Sequence, residues 1–137
     1  MKRALAALAL TLVLGAPALA APPSERTFAA PVDRVWSTTE AVLKHLGWDI
    51  DKSDRAIGFI TTDSRRVEGE NYGVYEKGLR HRLQLHLKTS GDSKTVVSIE
   101  RTVFKRERIL FVDKDEPVTD PSQAVEKAVL EAIGKAL

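Results

Sequence analysis

A single apolar stripe with helical spacing constrains the fold of this chain more than any other feature of the sequence. Its members recur every three or four residues and are Val32, Val35, Trp36, Thr39, Val42, Leu43 and Leu46. This spacing places them on one face of an α-helix, and another element must cover that face. Pro31 is typical of a first helical turn, and Gly47 is typical of the position that ends a helix. We therefore predict an amphipathic helix between these two residues.

The sequence that follows has the two-residue alternation of β-strands. From Leu79 to Leu87, leucines and His81 share one face, while the other face is polar and basic. The turn residues Ser90–Ser93 then predict a hairpin with a partner strand from Lys94 to Phe104. Shorter strands are predicted over residues 26–28, 48–51 and 56–62.

A second helix is predicted near the C-terminus. The run Asp120–Gln123 combines a capping residue, a first-turn proline and a polar third residue. The apolar face of this helix consists of Val125, Ala128, Val129, Ala132, Ile133 and Ala136. Ahead of it, Ile109–Val112 is either a further strand or a segment lying on the sheet. The element order predicts an α+β fold, in which an antiparallel sheet packs against an N-terminal and a C-terminal helix.

The first twenty residues have the layout of a secretory signal peptide. Lys2 and Arg3 precede an apolar run from Ala4 to Leu14, and Ala18-Leu19-Ala20 has small residues where a signal peptidase cleaves. The run is shorter than the roughly 20 apolar residues that span a bilayer. We therefore expect export to the periplasm, or beyond the cell, as a single domain of residues 21–137.

Composition narrows the classes of function. The chain has 21 basic and 19 acidic residues, and two of the basic ones, Lys2 and Arg3, lie in the signal segment. The remainder is balanced in charge, which argues against a nucleic-acid partner. There is no cysteine, so we expect no acylated anchor, thiol catalysis or thiolate metal site.

The histidines and serines do not form a recognisable catalytic or metal-binding pattern. His81 and His86 lie five residues apart on one predicted strand and point to opposite faces, so they cannot hold one ion together. No serine lies in a nucleophile elbow, and no glycine-rich phosphate loop is present. We therefore expect a protein that is not an enzyme and has neither a metal nor a cofactor.

Four residues are the candidates for contact with a partner or ligand. Tyr72 and Tyr75 lie in a glycine-containing stretch from Asp63 to Gly78, which is either a functional loop or a twisted hairpin in which the tyrosines pack. His81 faces the predicted core, as a core or sheet-edge histidine. Arg101 belongs to a basic strip with residues 80–82 and 105–108, which is either a solvated face with cross-strand ion pairs or an anion-binding surface.

Three stretches carry a resemblance to a known family. They are Ala30–Trp36, Leu46–Ile50 and Asp54–Thr62, within residues 26–62. This region resembles the small envelope domains of the C lipoprotein of the outer-membrane β-barrel assembly machinery. The resemblance implies a helix-grip fold, with an antiparallel sheet curled against two helices. The opening proline and helix tryptophan are also similar to those of START-type lipid-transfer domains, which have a related fold.

Two functions are therefore expected in order of preference. The first is a non-catalytic envelope protein, without a membrane anchor, that contacts envelope proteins through its sheet face or the 63–78 loop in outer-membrane assembly or maintenance. The alternative is a carrier that holds a lipid or another apolar ligand between the sheet and the first helix. A carrier needs an internal cavity, whereas protein interiors are normally packed without voids.

Overall fold

The computed structural model describes residues 23–137 and has the predicted α+β fold. The signal peptide predicted over residues 1–20 lies outside the described residues. A seven-stranded antiparallel sheet is flanked by one helix near each end of the described chain. The elements are β1 Ser24–Phe28, α1 Val32–His45, β2 Ile50–Asp54, β3 Phe59–Thr62, β4 Arg65–Asn71, β5 Glu76–Thr89, β6 Thr95–Ile109, β7 Val112–Val118 and α2 Ala124–Ala136.

The long hairpin of β5 and β6 organises the sheet. At one end of the hairpin, the strand order is β1-β6-β5-β3-β2. At the other end, β4 pairs with β5 and β7 pairs with β6. We call this second end the distal arm: β4, β7, and the segments 76–81 of β5 and 103–109 of β6 that pair with them. All seven residues of β7 are exposed, whereas the helices pack on the first end.

The core lies between the two helices and one face of the first end of the sheet. Val35 and Leu43 of α1 are fully buried, and Trp36 is 4% exposed, so the predicted stripe faces the sheet. From the strands, Ile60, Leu83, Leu85, Val97 and Ile99 are fully buried, and Ile133 of α2 closes the core. These side chains fill the space between α1 and the sheet, so an apolar ligand there would have to displace them.

The ends of the first helix follow the predicted signals. The carbonyl of Pro31 accepts hydrogen bonds from the N–H groups of Arg34 and Val35 (both 3.1 Å), which begins α1. After the helix, Gly47 has a φ of +85°, a left-handed conformation that glycine adopts without steric cost. Leu46, the last member of the stripe, is 39% exposed because the helix has already ended at His45.

Two predictions about later segments need correction. The second helix begins at Ala124 with Gln123 as its N-cap, and Asp120 does not cap it. Asp120 instead accepts the N–H of Ser122 and binds a strand side chain across the fold. Ile109–Val112 neither forms a strand of its own nor lies on the sheet: Ile109 ends β6, Leu110 and Phe111 form the turn, Val112 begins β7, and all four side chains are exposed.

The stretch from Asp63 to Gly78 is a hairpin of β4 and β5 rather than an irregular loop. Gly69 and Gly78 face each other across its two strands. A Cβ atom on Gly69 would lie 2.2 Å from the carbonyl oxygen of Lys77, and one on Gly78 would lie 2.1 Å from that of Glu68. The backbones therefore approach each other more closely here than any side chain allows.

Candidate functional site

The structure divides the four candidate residues into two groups at different places. Tyr72 is 70% exposed and Tyr75 is 49% exposed, both in the turn between β4 and β5 at the end of the distal arm. His81 is only 6% exposed, and the side chain of Arg101 is likewise 6% exposed. The first two residues are available to a partner, whereas the second two belong to a buried polar network.

Arg101 is the centre of this buried network. Its guanidinium group donates from Nε to Oε1 of Glu126 (3.2 Å) and from Nη2 to Oδ2 of Asp120 (2.5 Å). Its Nη1 lies 3.2 Å from Nδ1 of His81. The side chain of Glu126 is only 7% exposed, and that of Asp120 is 37% exposed. The network therefore links β5, β6 and α2 through charge-assisted hydrogen bonds.

Aromatic contacts continue the network on the other side of His81. The rings of His81 and Trp48 lie 4.7 Å apart between centroids, and the guanidinium carbon of Arg65 lies 3.7 Å from the centroid of Trp48. Arg65 also donates a hydrogen bond from Nη1 to the carbonyl of Leu46 (2.9 Å). The imidazole therefore lies between an aromatic ring and a guanidinium group, inside the fold.

This environment keeps His81 neutral. The pKa of the imidazole is lowered from its ordinary value of 6.5 to about 4, mainly by burial and also by the charges of Arg101 and Arg65, while the charge of Asp120 opposes the shift. At neutral pH, Nδ1 of the neutral ring can accept the hydrogen bond from Arg101. The ring nitrogen nearest the charged groups is thus already engaged, which suits a structural role better than that of a catalytic base.

Acidification should therefore destabilise the fold through His81. Because the folded-state pKa lies below 6.5, the unfolded chain binds a proton first as the pH falls. The contribution of His81 to stability is fully present above about pH 6.5 and is lost by about pH 4, a decrease of about 2–3 kcal/mol.

Urea denaturation of the wild type and of His81→Gln between pH 7 and 4 measures this decrease in the free energy of unfolding. The variant should lose less stability over this range, and equal losses in wild type and His81→Gln would contradict the assignment.

A cleft of about 300 Å³ lies beside the network. It is lined by β6 residues 99–103, by residues 117–120 and by Pro23 and Glu126. Four charged residues line it, and one of them, Arg101, binds two of the others, Asp120 and Glu126. The fourth is Glu100, so the lining has more acidic than basic groups and does not suit an anionic ligand.

Three arginines of the basic strip lie on the face of the distal arm opposite to His81 and form ion pairs, two of them across strands. Arg106 binds Asp115 (2.8 Å), Arg108 binds Asp113 (2.5 Å), and Arg80 binds the buried Glu76 (2.7 Å). Hydrogen bonds from these arginines lower the pKa values of Asp113 and Asp115. Arg101 does not belong to this face, because β6 turns it toward the helices. The pattern is that of a solvated sheet face stabilised by ion pairs, rather than of an open anion-binding surface.

The end of the distal arm is apolar and exposed. Two turns meet there, and Phe111 of the β6–β7 turn donates its N–H to the carbonyl of Val74 in the β4–β5 turn (3.2 Å). The exposed side chains of the two turns and their flanks range from 49% to 74% in exposure, and we call them the apolar tip: Tyr72, Tyr75, Ile109, Leu110, Phe111 and Val112. A shallow groove of about 210 Å³ runs between the two turns. Contiguous apolar surface of this kind is typical of an interaction site.

The β6–β7 turn is also strained. Leu110 and Phe111 form a two-residue hairpin turn with φ values of +51° and +65°. This turn geometry needs positive φ at both positions and is normally made by Asn-Gly or Asp-Gly. Positive φ is a clear departure for bulky side chains. Sequence reasoning identified Tyr72 and Tyr75 but missed this turn, although four consecutive apolar residues after a charged run indicated an exceptional segment.

The described residues contain no group of three or more histidine or acidic side chains placed to hold a metal ion. Within the same part of the chain, neither helix is long and apolar enough to cross a membrane. The sequence matches no protein-family model and no curated protein.

Proposed function

We propose that this protein is a non-catalytic interaction module of the bacterial envelope, exported to the periplasm, which binds another protein through the apolar tip. The observation that carries the proposal is the clustering of six exposed large apolar side chains at one end of the sheet. The other exposed large apolar residues of the described chain, Leu46, Ile57, Val67 and Val118, lie outside this cluster. Aromatic side chains are enriched at protein contacts and often dominate their energetics. The resemblance of residues 26–62 to envelope domains supports a role in outer-membrane assembly or maintenance.

The polar groups of the molecule support a binding role rather than a catalytic one. The His81 imidazole and the two carboxylates around Arg101 are engaged with that guanidinium group. Arg80, Arg106 and Arg108 of the opposite face are engaged with carboxylates of β5 and β7.

The packed interface between α1 and the sheet makes the carrier the second candidate. An open groove of about 710 Å³ does lie between α1 and α2, lined by Ala41, Val42, Leu46, Ala132 and Ala136 with polar residues at its margins. This groove is on the outer side of the helices, so a ligand there would be exposed rather than enclosed.

Replacing both tip tyrosines with serine should abolish partner binding without unfolding the protein. Tyr72 and Tyr75 are largely exposed, so their loss should shift Tm by less than about 3 °C. Affinity co-purification from envelope extract should recover a protein with the wild type and lose it with Tyr72→Ser/Tyr75→Ser. The matched control is Ile57→Ser, because Ile57 is 71% exposed in the β2–β3 turn at the opposite end of the sheet.

The control must recover the same protein as the wild type. A large drop in Tm for the tyrosine double variant would mean that these rings pack the hairpin. An unchanged set of co-purified proteins would remove the tip from the proposed function. Lipid co-purifying in place of protein would favour the carrier.

A further inference from the structure

We propose that the strained turn at Leu110 and Phe111 is a preformed apolar knob that inserts into an apolar groove of a folded protein partner. This inference rests on the proposed function and names the part of the tip that enters the partner. Phe111 is 74% exposed and Leu110 is 65% exposed, so the conformation places both side chains in solvent rather than in the core. The strained conformation therefore does not pack either side chain into the described fold.

The turn is held in place by contacts around it. The Phe111 N–H bonds to Val74, and Arg108 donates from Nη1 to the carbonyl of Gly73 (3.3 Å), so the two turns support each other. Below the turn, Arg108 and Asp113 form two hydrogen bonds across the strands. A strained conformation persists where its surroundings determine it. A preformed knob loses less conformational entropy on binding than a flexible loop.

The charges around the tip favour a protein over a lipid bilayer. The charged residues that flank the two turns are four acidic and three basic: Glu70, Glu76, Glu107, Asp113, Lys77, Arg108 and Lys114. A surface that binds anionic lipid typically surrounds its apolar residues with lysine and arginine. An apolar centre with a rim of both charge signs is instead the common arrangement of a protein interface.

The strands beside the tip argue against recognition by strand addition. β7 presents charged residues at positions 113–116 and includes Pro117, which lacks an N–H donor. The register of β4 shifts between Arg66 and Glu68. Charged side chains, proline and bulges are the features that keep sheet edges from pairing with other chains. A partner is therefore engaged by the side chains of the knob.

The decisive variant replaces the knob with the sequence that the turn geometry favours. Leu110→Asn/Phe111→Gly should relieve the strain and raise Tm by about 3–8 °C. If the knob enters the partner, the same variant should bind the partner recovered with the wild type at least about tenfold more weakly. Surface plasmon resonance with that purified partner measures the affinity. A lowered Tm would mean that the two side chains stabilise the fold, and would overturn the inference.

A second turn offers a matched control for relief of backbone strain. Ser93 has a φ of +55° in the β5–β6 turn, at the opposite end of the sheet. Ser93→Gly should raise Tm without changing affinity. Binding by Leu110→Asn/Phe111→Gly as tight as that of the wild type, together with weak binding by Tyr72→Ser/Tyr75→Ser, would mean that the knob does not enter the partner. In that case the proposed function stands.

Two further outcomes separate the inference from the proposed function. If the wild type binds no protein at all, the proposed function itself fails. Sedimentation with vesicles of phosphatidylcholine alone, and of phosphatidylcholine with phosphatidylglycerol, tests the bilayer as the occupant. We expect no binding to either kind of vesicle. Vesicle binding that is lost in Leu110→Asn/Phe111→Gly would mean that the knob inserts into a lipid surface and not into a protein groove.

Discussion

Replacing Arg101 with methionine is expected to lower the free energy of unfolding by about 3–5 kcal/mol. The Glu126 side chain is 7% exposed, and its carboxyl group would lose the guanidinium group 3.2 Å away. An unpaired buried charge is among the most destabilising features a substitution can leave. Methionine retains much of the apolar stem, so the loss reports the charge rather than the volume. Urea denaturation at pH 7 measures it.

A second substitution separates the lost pair from other effects of the variant. Glu126→Gln in the Arg101→Met background removes the uncompensated charge and should recover part of the loss. Lys114→Met is the control for breaking an exposed pair, since Lys114 and Glu116 are 76% and 63% exposed and lie 3.9 Å apart. It should change stability by less than about 1 kcal/mol. A loss below this value for Arg101→Met would mean that water compensates Glu126.

The parts of the fold that were predicted correctly are those specified by local periodicity. The stripe from Val32 predicted α1, and the alternation from Leu79 predicted β5 and placed His81 on the same face as its leucines. The turn at residues 90–93 predicted the hairpin, where the Ser90 N–H bonds to the Lys94 carbonyl (2.9 Å). Each signal lies within a few residues of the structure that it predicts, so no knowledge of distant contacts was needed.

The buried network escaped prediction because its members are far apart in the sequence. Glu126 is 25 residues from Arg101, and Asp120 is 19 residues away. The register of β5 and β6 places His81 diagonally near Arg101, and the packing of α2 brings Glu126 to Arg101. Glu126 was not among the residues of the predicted apolar face of the second helix. This carboxyl group is buried because it is paired with the guanidinium group of Arg101.

Only part of the apolar tip was predicted from the sequence. The tyrosines stood out because aromatic residues were few and the segment around them lacked a regular pattern. Leu110 and Phe111 did not, because an apolar pair after a strand predicts more strand or core contact. Only the backbone conformation shows that this pair makes a turn normally assigned to Asn and Gly. Local preference and observed structure disagree at this turn, as expected where a sequence serves binding rather than folding.

Replacing Trp36 with alanine is expected to lower the free energy of unfolding by about 3–5 kcal/mol. Trp36 is 4% exposed within the core between α1 and the sheet, so its removal would leave a large cavity. For a domain whose whole stability is about 5–15 kcal/mol, this loss approaches unfolding. Thermal and urea denaturation followed by far-ultraviolet circular dichroism measure it.

The control for this prediction comes from the same helical stripe. Leu46 shares the predicted spacing but is 39% exposed just beyond the end of α1, so Leu46→Ala should change stability by less than about 1 kcal/mol. The contrast between the two positions tests whether burial, rather than position in the apolar pattern, sets the energetic effect. Equal losses at both positions would mean that the end of the helix packs more tightly than its exposure indicates. A loss below about 1 kcal/mol at Trp36 would mean that the stripe does not face the sheet, and the assignment of the core between α1 and the strands would be wrong.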